Sequence, residues 1–241
     1  MYKSPRGALC FGLAMALAGC GGPSNSPEPS NPTRTPSMSK TVPSNDIDAV
    51  NHRLLAAAEP FENLTESAFS ASQAELAKLV KSVHSSAQPV TSDLPAIAAQ
   101  NLKNRLQEID KAQNADNRSE IALAAVEGYR TLVSNVRGKI AVPPQVSLLD
   151  YAGFRIQADL KAKSTRWADI SYALTFAKDR WGEISNQVQD RKIVSDMQAA
   201  LSHMKNAAAA KDKKELMQAS TRELDLVDEL ETYFAKAANA S

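Results

Sequence analysis

Beyond residue 20 the chain contains no cysteine, since Cys10 and Cys20 are the only two and both fall near the N-terminus. A disulfide framework, a thiolate metal site and a cysteine nucleophile are therefore excluded from the body of the protein. Covalent haem goes with them, because no Cys-x-x-Cys-His occurs. Glycine is almost as scarce, with only Gly128, Gly138, Gly153 and Gly182 after Asp46. That leaves no phosphate-cradling loop and no Gly-x-Ser-x-Gly elbow. The three histidines, His52, His84 and His203, fall on separate predicted helices, and none has a His-x-x-Glu or Glu-x-x-His spacing. No metal or other cofactor is expected, and haem held by Met197 or Met204 with a distant histidine has little to support it. Neither charge is in excess: 28 basic residues face 27 acids, or 26 face 27 once Lys3 and Arg6 are set aside. Lysines and arginines are spread beside acids without an aromatic-studded basic stripe, so nucleic acid is not an expected partner. The apolar run Ala8 to Ala18 has 11 residues, too few to span a bilayer.

That run sits between Lys3 and Arg6 on one side and small residues on the other, which is the anatomy of a signal peptide. Its end, Leu17-Ala18-Gly19-Cys20, resembles the lipobox of bacterial lipoproteins. The resemblance implies that residues 1–19 are removed and that Cys20 is acylated and begins the mature chain. Multi-chain acylation, at about 0.8 kcal/mol per buried methylene, gives a stable anchor. Gly21 follows the cysteine where many inner-membrane-retained lipoproteins have Asp, which favours the outer membrane, facing the periplasm. The expected partners are membrane lipid through Cys20 and an envelope protein.

Residues 20–45 hold half of the 12 prolines among Ser, Asn and Thr and show no apolar periodicity. They read as a disordered tether with a root-mean-square reach of roughly 25–30 Å. From Asp46 onward, Ala, Leu, Lys, Glu and Gln dominate and apolar residues recur at three- and four-residue spacing. This predicts an all-α antiparallel bundle of about eight helices, near 46–66 with a possible break at Pro60, then 71–87, 94–113, 117–138, 147–163, 165–186, 190–210 and 212–237. Caps are expected at Ser92 or Asp93, Asn117, Ser147 and Asp212. A displacement of 94 or 95 residues aligns Leu54-Leu55 with Leu148-Leu149, Leu76 with Ile170, Leu106 with Leu201 and Asn117-x-x-Glu120 with Asp212-x-x-Glu215. Two four-helix units, 46–140 and 147–241, are the organisation this implies, with one longer bundle as the alternative.

Three faces are candidates for function. On 165–186, Tyr172 and Phe176 point away from the stripe formed by Trp167, Ile170, Leu174, Ala177, Trp181 and Ile184, so they either pack in a central helix or line a groove. In the last helix Glu223 lies amid Leu216, Ala219, Ser220, Leu226, Val227 and Leu230, a carboxylate in an apolar stripe. Arg155 and Asp159, four residues apart, could supply its charge partner. A structural ion-pair network is the plainer reading, a polar ligand site the sharper one. Asp225, Asp228, Glu229 and Glu231 read as a solvated face. The absence of His-x-x-Glu argues against the imelysin-like envelope lipoproteins, which are duplicated helical bundles. The expectation is a non-enzymatic, lipid-anchored envelope bundle acting through protein contacts, with small-ligand, metal or haem binding in its interior as the alternative.

Overall fold

The computed structural model describes residues 44–239. The signal peptide, the Cys20 anchor and nearly all of the tether lie outside the described residues. Eight α-helices make up the described chain: α1 (Ser44–Ser67), α2 (Gln73–Val90), α3 (Ala96–Asn114), α4 (Arg118–Val133), α5 (Pro144–Lys161), α6 (Trp167–Ile184), α7 (Arg191–Ala209) and α8 (Lys213–Asn239). The protein is an all-α helical bundle, with no strand among the described residues. No described helix is long and apolar enough to cross a membrane.

The described residues form one compact unit, within which the helix contacts fall into two sets of four. In the first, α1 packs on α2 and α4, and α3 packs on α4; in the second, α5 packs on α6 and α8, and α7 packs on α8. Extensive packing of α4 on α5 joins the two units. In both units the second and third helices meet only slightly. Element order repeats with little drift. Gln73 and Trp167 open α2 and α6 94 residues apart, as Thr91 and Ser185 open two short 3-10 turns; α3 and α7, and α4 and α8, begin 95 apart.

Capping explains how the repeat is enforced locally. Asn117 accepts from the Glu120 amide at 3.3 Å, and Asp212 accepts from Lys214 and Glu215 amides, each at 3.0 Å. Each cap follows a left-handed residue, Asp116 (φ 50°) or Lys211 (φ 53°). The Asn117 and Asp212 amides each donate back to the preceding helix, to Ala112 O and Ala207 O, at 2.9 Å. These bonds satisfy carbonyls that a helix end leaves open. Two further starts are capped by Ser72, in a capping box with Glu75, and by Asp190.

Several expectations are corrected by proline chemistry and by long-range bonds. Helix α1 runs through Pro60 without interruption. Asp93 caps nothing; its carboxylate takes Arg53 at 2.8 and 2.9 Å, and α3 starts after Pro95. Ser147 is not a cap either. Pro144, whose missing N–H costs nothing at a first helical position, starts α5 three residues earlier. Ser147 is hydrogen-bonded to Tyr129 instead. Helix α4 stops at Val133, short of the expected 138. The chain then runs past α1, where Asn51 Nδ2 donates to Arg137 O at 2.6 Å and Arg137 N donates to Asn51 Oδ1 at 2.9 Å. That pairing replaces the helical bonds the segment gives up, and Gly138 (φ 75°) completes the turn toward Pro143.

Matched close approaches set the crossing within each unit. Gly128 of α4 lies beneath the buried Phe61 ring of α1, and Gly153 of α5 lies beneath Glu223 and Leu224 of α8. Gly128 and Glu223 share a register position 95 apart, so the large and small partners have exchanged helices between units. The exchange pairs Phe61 with Gly153, a displacement of 92, so at this crossing α1 and α5 depart from the 94 suggested by Leu54-Leu55. A Cβ at Gly128 would collide with Phe61 and lie 3.2 Å from its Cζ, whereas one at Gly182 would meet nothing within 4 Å. Gly128→Ala is therefore expected to destabilise by about 1–3 kcal/mol. Gly182→Ala should stabilise by about 0.5–1 kcal/mol. Urea unfolding of both variants checks this; a neutral Gly128→Ala would refute the close-packed crossing.

Candidate functional site at the junction of the two units

Helix α5 is buried on nearly every side, because α4, α6 and α8 all pack on it. Its residues at four-residue steps, Tyr151, Arg155 and Asp159, share one face. That face meets α4, where Glu127 and Arg130 sit three apart, and the first turn of α6, where Asp169 lies. Arg155 is the hub. Its Nη1 is hydrogen-bonded to Glu127 Oε1, its Nε to Asp159 Oδ2 at 2.9 Å and its Nη2 to Asp169 Oδ2 at 3.2 Å.

The network continues through a buried phenol. Tyr151 Oη donates to Glu127 Oε1 at 2.7 Å and accepts from Arg130 Nη1 at 3.1 Å. Phe176 of α6 packs edge-on against the Tyr151 ring at 5.2 Å between centroids. The Arg130 guanidinium lies over both rings, 5.2 Å from Tyr151 and 5.5 Å from Phe176, and Arg180 covers Phe176 at 5.1 Å. Such cation–π contacts add roughly 0.5–2 kcal/mol each. Tyr172, 54% exposed, ends the aromatic row 6.3 Å from Phe176. Beside Glu127 and Arg155 a groove of about 400 Å³ opens between α3, α4 and α5, edged by Arg105, Lys111 and the Glu120–Arg166 ion pair.

Electrostatics follow burial and partner together. Burial works against the Arg155 charge, yet Asp159 and Glu127 outweigh it and hold the guanidinium more firmly protonated than usual. Burial and the neighbouring Glu127 carboxylate push the Tyr151 phenol up, which keeps it a neutral donor. Asp159 is fully buried, and desolvation raises its carboxyl to about 6 although Arg155 pulls the other way. Most donors and acceptors here are spent on one another, while Asp159 Oδ1 is buried without a hydrogen-bond partner.

Of the residues singled out in the sequence, Arg155, Asp159 and Phe176 come together here, with Tyr172 at the edge. Glu223 does not join them. It is buried on the α8 side of α5, against Gly153, while Arg155 and Asp159 face α4 and α6 from about 200° and about 240° around the helix. The expected pairing of Glu223 with Arg155 is thus replaced by Glu127, Asp159 and Asp169. Sequence reading missed Glu127, Arg130, Tyr151 and Asp169. The signals present were Glu127-x-x-Arg130 and the four-residue ladder Tyr151, Arg155, Asp159. The histidines are exposed or half-buried and lie apart, His84 on Asp110 at 2.7 Å and His203 near Glu215 at 3.3 Å. Among the described residues no group of three His, Cys, Asp or Glu side chains is placed to hold a metal. Comparison with family models, curated proteins and solved structures gives no match to this chain.

Two outcomes are expected from this geometry. Arg155→Met should cost about 3 kcal/mol, because it leaves buried carboxylates without their counter-charge. Asp169→Asn, at the exposed edge, should cost less than about 1 kcal/mol; thermal and urea unfolding compare them, and equal costs would refute the hub. The second concerns pH. The folded Asp159 keeps its proton to higher pH than an unfolded aspartate, so between about pH 4 and 6 the folded state binds more protons. Stability from this group is therefore gained as pH falls through 6 and lost as pH rises. The Tm of the wild type relative to Asp159→Asn should rise on going from pH 7.5 to pH 5. A fall would mean that Arg155, not burial, governs the carboxyl.

Proposed function

We propose that this is a lipid-anchored protein of the bacterial cell envelope that acts without catalysis, presenting a rigid two-unit bundle to a protein partner. The observation that carries the reading is the cross-bracing of the junction: Arg155 is shared by three carboxylates and Tyr151 is bonded on both sides of its hydroxyl. Groups bonded in this way hold two units in one orientation. The lipobox-like Leu17-Ala18-Gly19-Cys20 and the proline-rich stretch after it support an anchor followed by a spacer. In this reading the outer membrane holds Cys20 and the bundle faces the periplasm.

A second reading, binding of a small ligand, is favoured by the groove beside Glu127 and Arg155. Its edges carry both signs, with Arg105, Lys111 and Arg166 against Glu108 and Glu120, which suits a zwitterion better than a simple anion.

Crosslinking in native envelopes followed by mass spectrometry tests the primary reading. It should recover an acylated Cys20 and one or more proteins crosslinked to the bundle. Cys20→Ser should release the chain from the membrane fraction. A soluble wild type, or an anchored protein that recovers no specific partner, would refute it.

A further inference from the structure

The second and third helices of each unit touch little, and in the first unit their separation leaves a cleft of about 370 Å³. Its wall is built from one face of α2, where Lys81, His84, Ser85 and Gln88 follow at helical spacing, with Lys103 projecting from α3 and Thr91 from the turn between them. No carboxylate lines it. Asp110, on α3, is already engaged by His84 Nε2 at 2.7 Å, and the Thr91 hydroxyl donates to Ala87 O at 3.0 Å. Lys81 and Lys103 form no ion pair among the described residues. Two ammonium groups are thus left facing one small cleft, beside the uncommitted polar side chains of Ser85 and Gln88.

The second unit is an internal control. Displaced by 94 on α6 and by 95 on α7, the equivalent positions hold Thr175, Lys178, Asp179, Gly182, Ser185 and Gln198. Both lysines are gone and an aspartate has arrived, so a lining with two positive charges becomes one with none net. The helical frame is common to both units. It therefore does not require lysines at these positions, and their presence in one unit alone needs another cause.

We propose that the α2–α3 cleft of the first unit binds a phosphate-bearing ligand. Lys81 and Lys103 supply the counter-charge from opposite walls, as point charges suited to a group with several acceptor oxygens, while Ser85 and Gln88 donate hydrogen bonds. The cleft has the volume of a small-molecule site rather than of a polymer track. A soluble phosphate compound and a phospholipid headgroup present the same chemistry to it.

The test uses the full chain carrying Cys20→Ser, so that acyl insertion does not mask weak binding. One arm titrates it with inorganic phosphate by calorimetry at fixed ionic strength. The other measures co-sedimentation with vesicles of phosphatidylglycerol in phosphatidylcholine against phosphatidylcholine alone. Lys81→Gln/Lys103→Gln should weaken binding at least tenfold, and Lys178→Gln, at the position of α6 equivalent to His84, should leave it unchanged. Both substituted lysines are exposed, and circular dichroism is the check that the variants keep the bundle. Phosphate binding alone assigns a soluble ligand; vesicle binding abolished by the double substitution assigns a headgroup. The proposal is overturned if neither probe binds, if the double variant binds as well as its parent, or if Lys178→Gln weakens binding equally.

Discussion

A guanidinium placed between two packed units has to be matched where it stands, and the matching of Arg155 governs how the rest of the chain is arranged. Its partners come from three helices, Glu127 on α4, Asp159 on α5 and Asp169 on α6. Buried ion pairs often stabilise no more than well-packed apolar groups would. What they do enforce is position. Rotating α5 by one residue turns Arg155 through about 100° and leaves charges stranded in a desolvated interior. The contact between α4 and α5 is therefore specific in a way that Leu-on-Leu packing would not be.

Within each unit, specificity is steric. The pairs Phe61–Gly128 and Gly153–Glu223 solve one crossing twice, with bulk placed first on the opening helix and then on the closing one. Either arrangement lets the two backbones approach closely, but mixing them would set two glycines or two large groups face to face. Core volume is kept elsewhere by pairs of similar size, such as Leu76 with Ile170, Ile109 with Met204 and Leu132 with Val227, all buried. A repeated frame can thus carry different chemistry at its variable positions, as Lys81 and Lys103 of the first unit against Thr175 and Gln198 of the second show.

Much of this frame was legible in the chain because it is local. Apolar spacing located all eight helices, and Asn117 and Asp212 were readable as caps because a cap acts on amides two or three residues away. The 94–95 displacement was legible for the same reason. Legibility ended where partners are distant in sequence. Asn51 bonding to Arg137, Asp93 to Arg53 and Ser147 to Tyr129 leave no trace in local spacing, and each drew a residue away from the role its neighbours suggested. The site was half legible: the Arg155–Asp159 pair shows as an i, i+4 ladder, but Glu127 is 28 residues upstream and looks like any solvated helix acid. Glu223 misled because an apolar stripe reveals that a carboxylate is buried without revealing which neighbour it is buried against.

The joint between α4 and α5 is head-to-tail, so the same operation could in principle continue outward from α8. On α4 the joining surface includes Leu123 and Glu127; the matching positions of α8 are Gln218 and Arg222, both exposed. Arg222 is held by Asp196 and Glu229 at 3.0 and 3.5 Å. The start of the array is finished in the same manner, since the outer side of α1 carries the exposed His52, Glu59 and Asn63. Heterologous joints that do not close grow into filaments unless their ends are blunted. Polar terminal surfaces of this kind blunt the outer faces of α1 and α8, so neither offers the joint that α4 and α5 share.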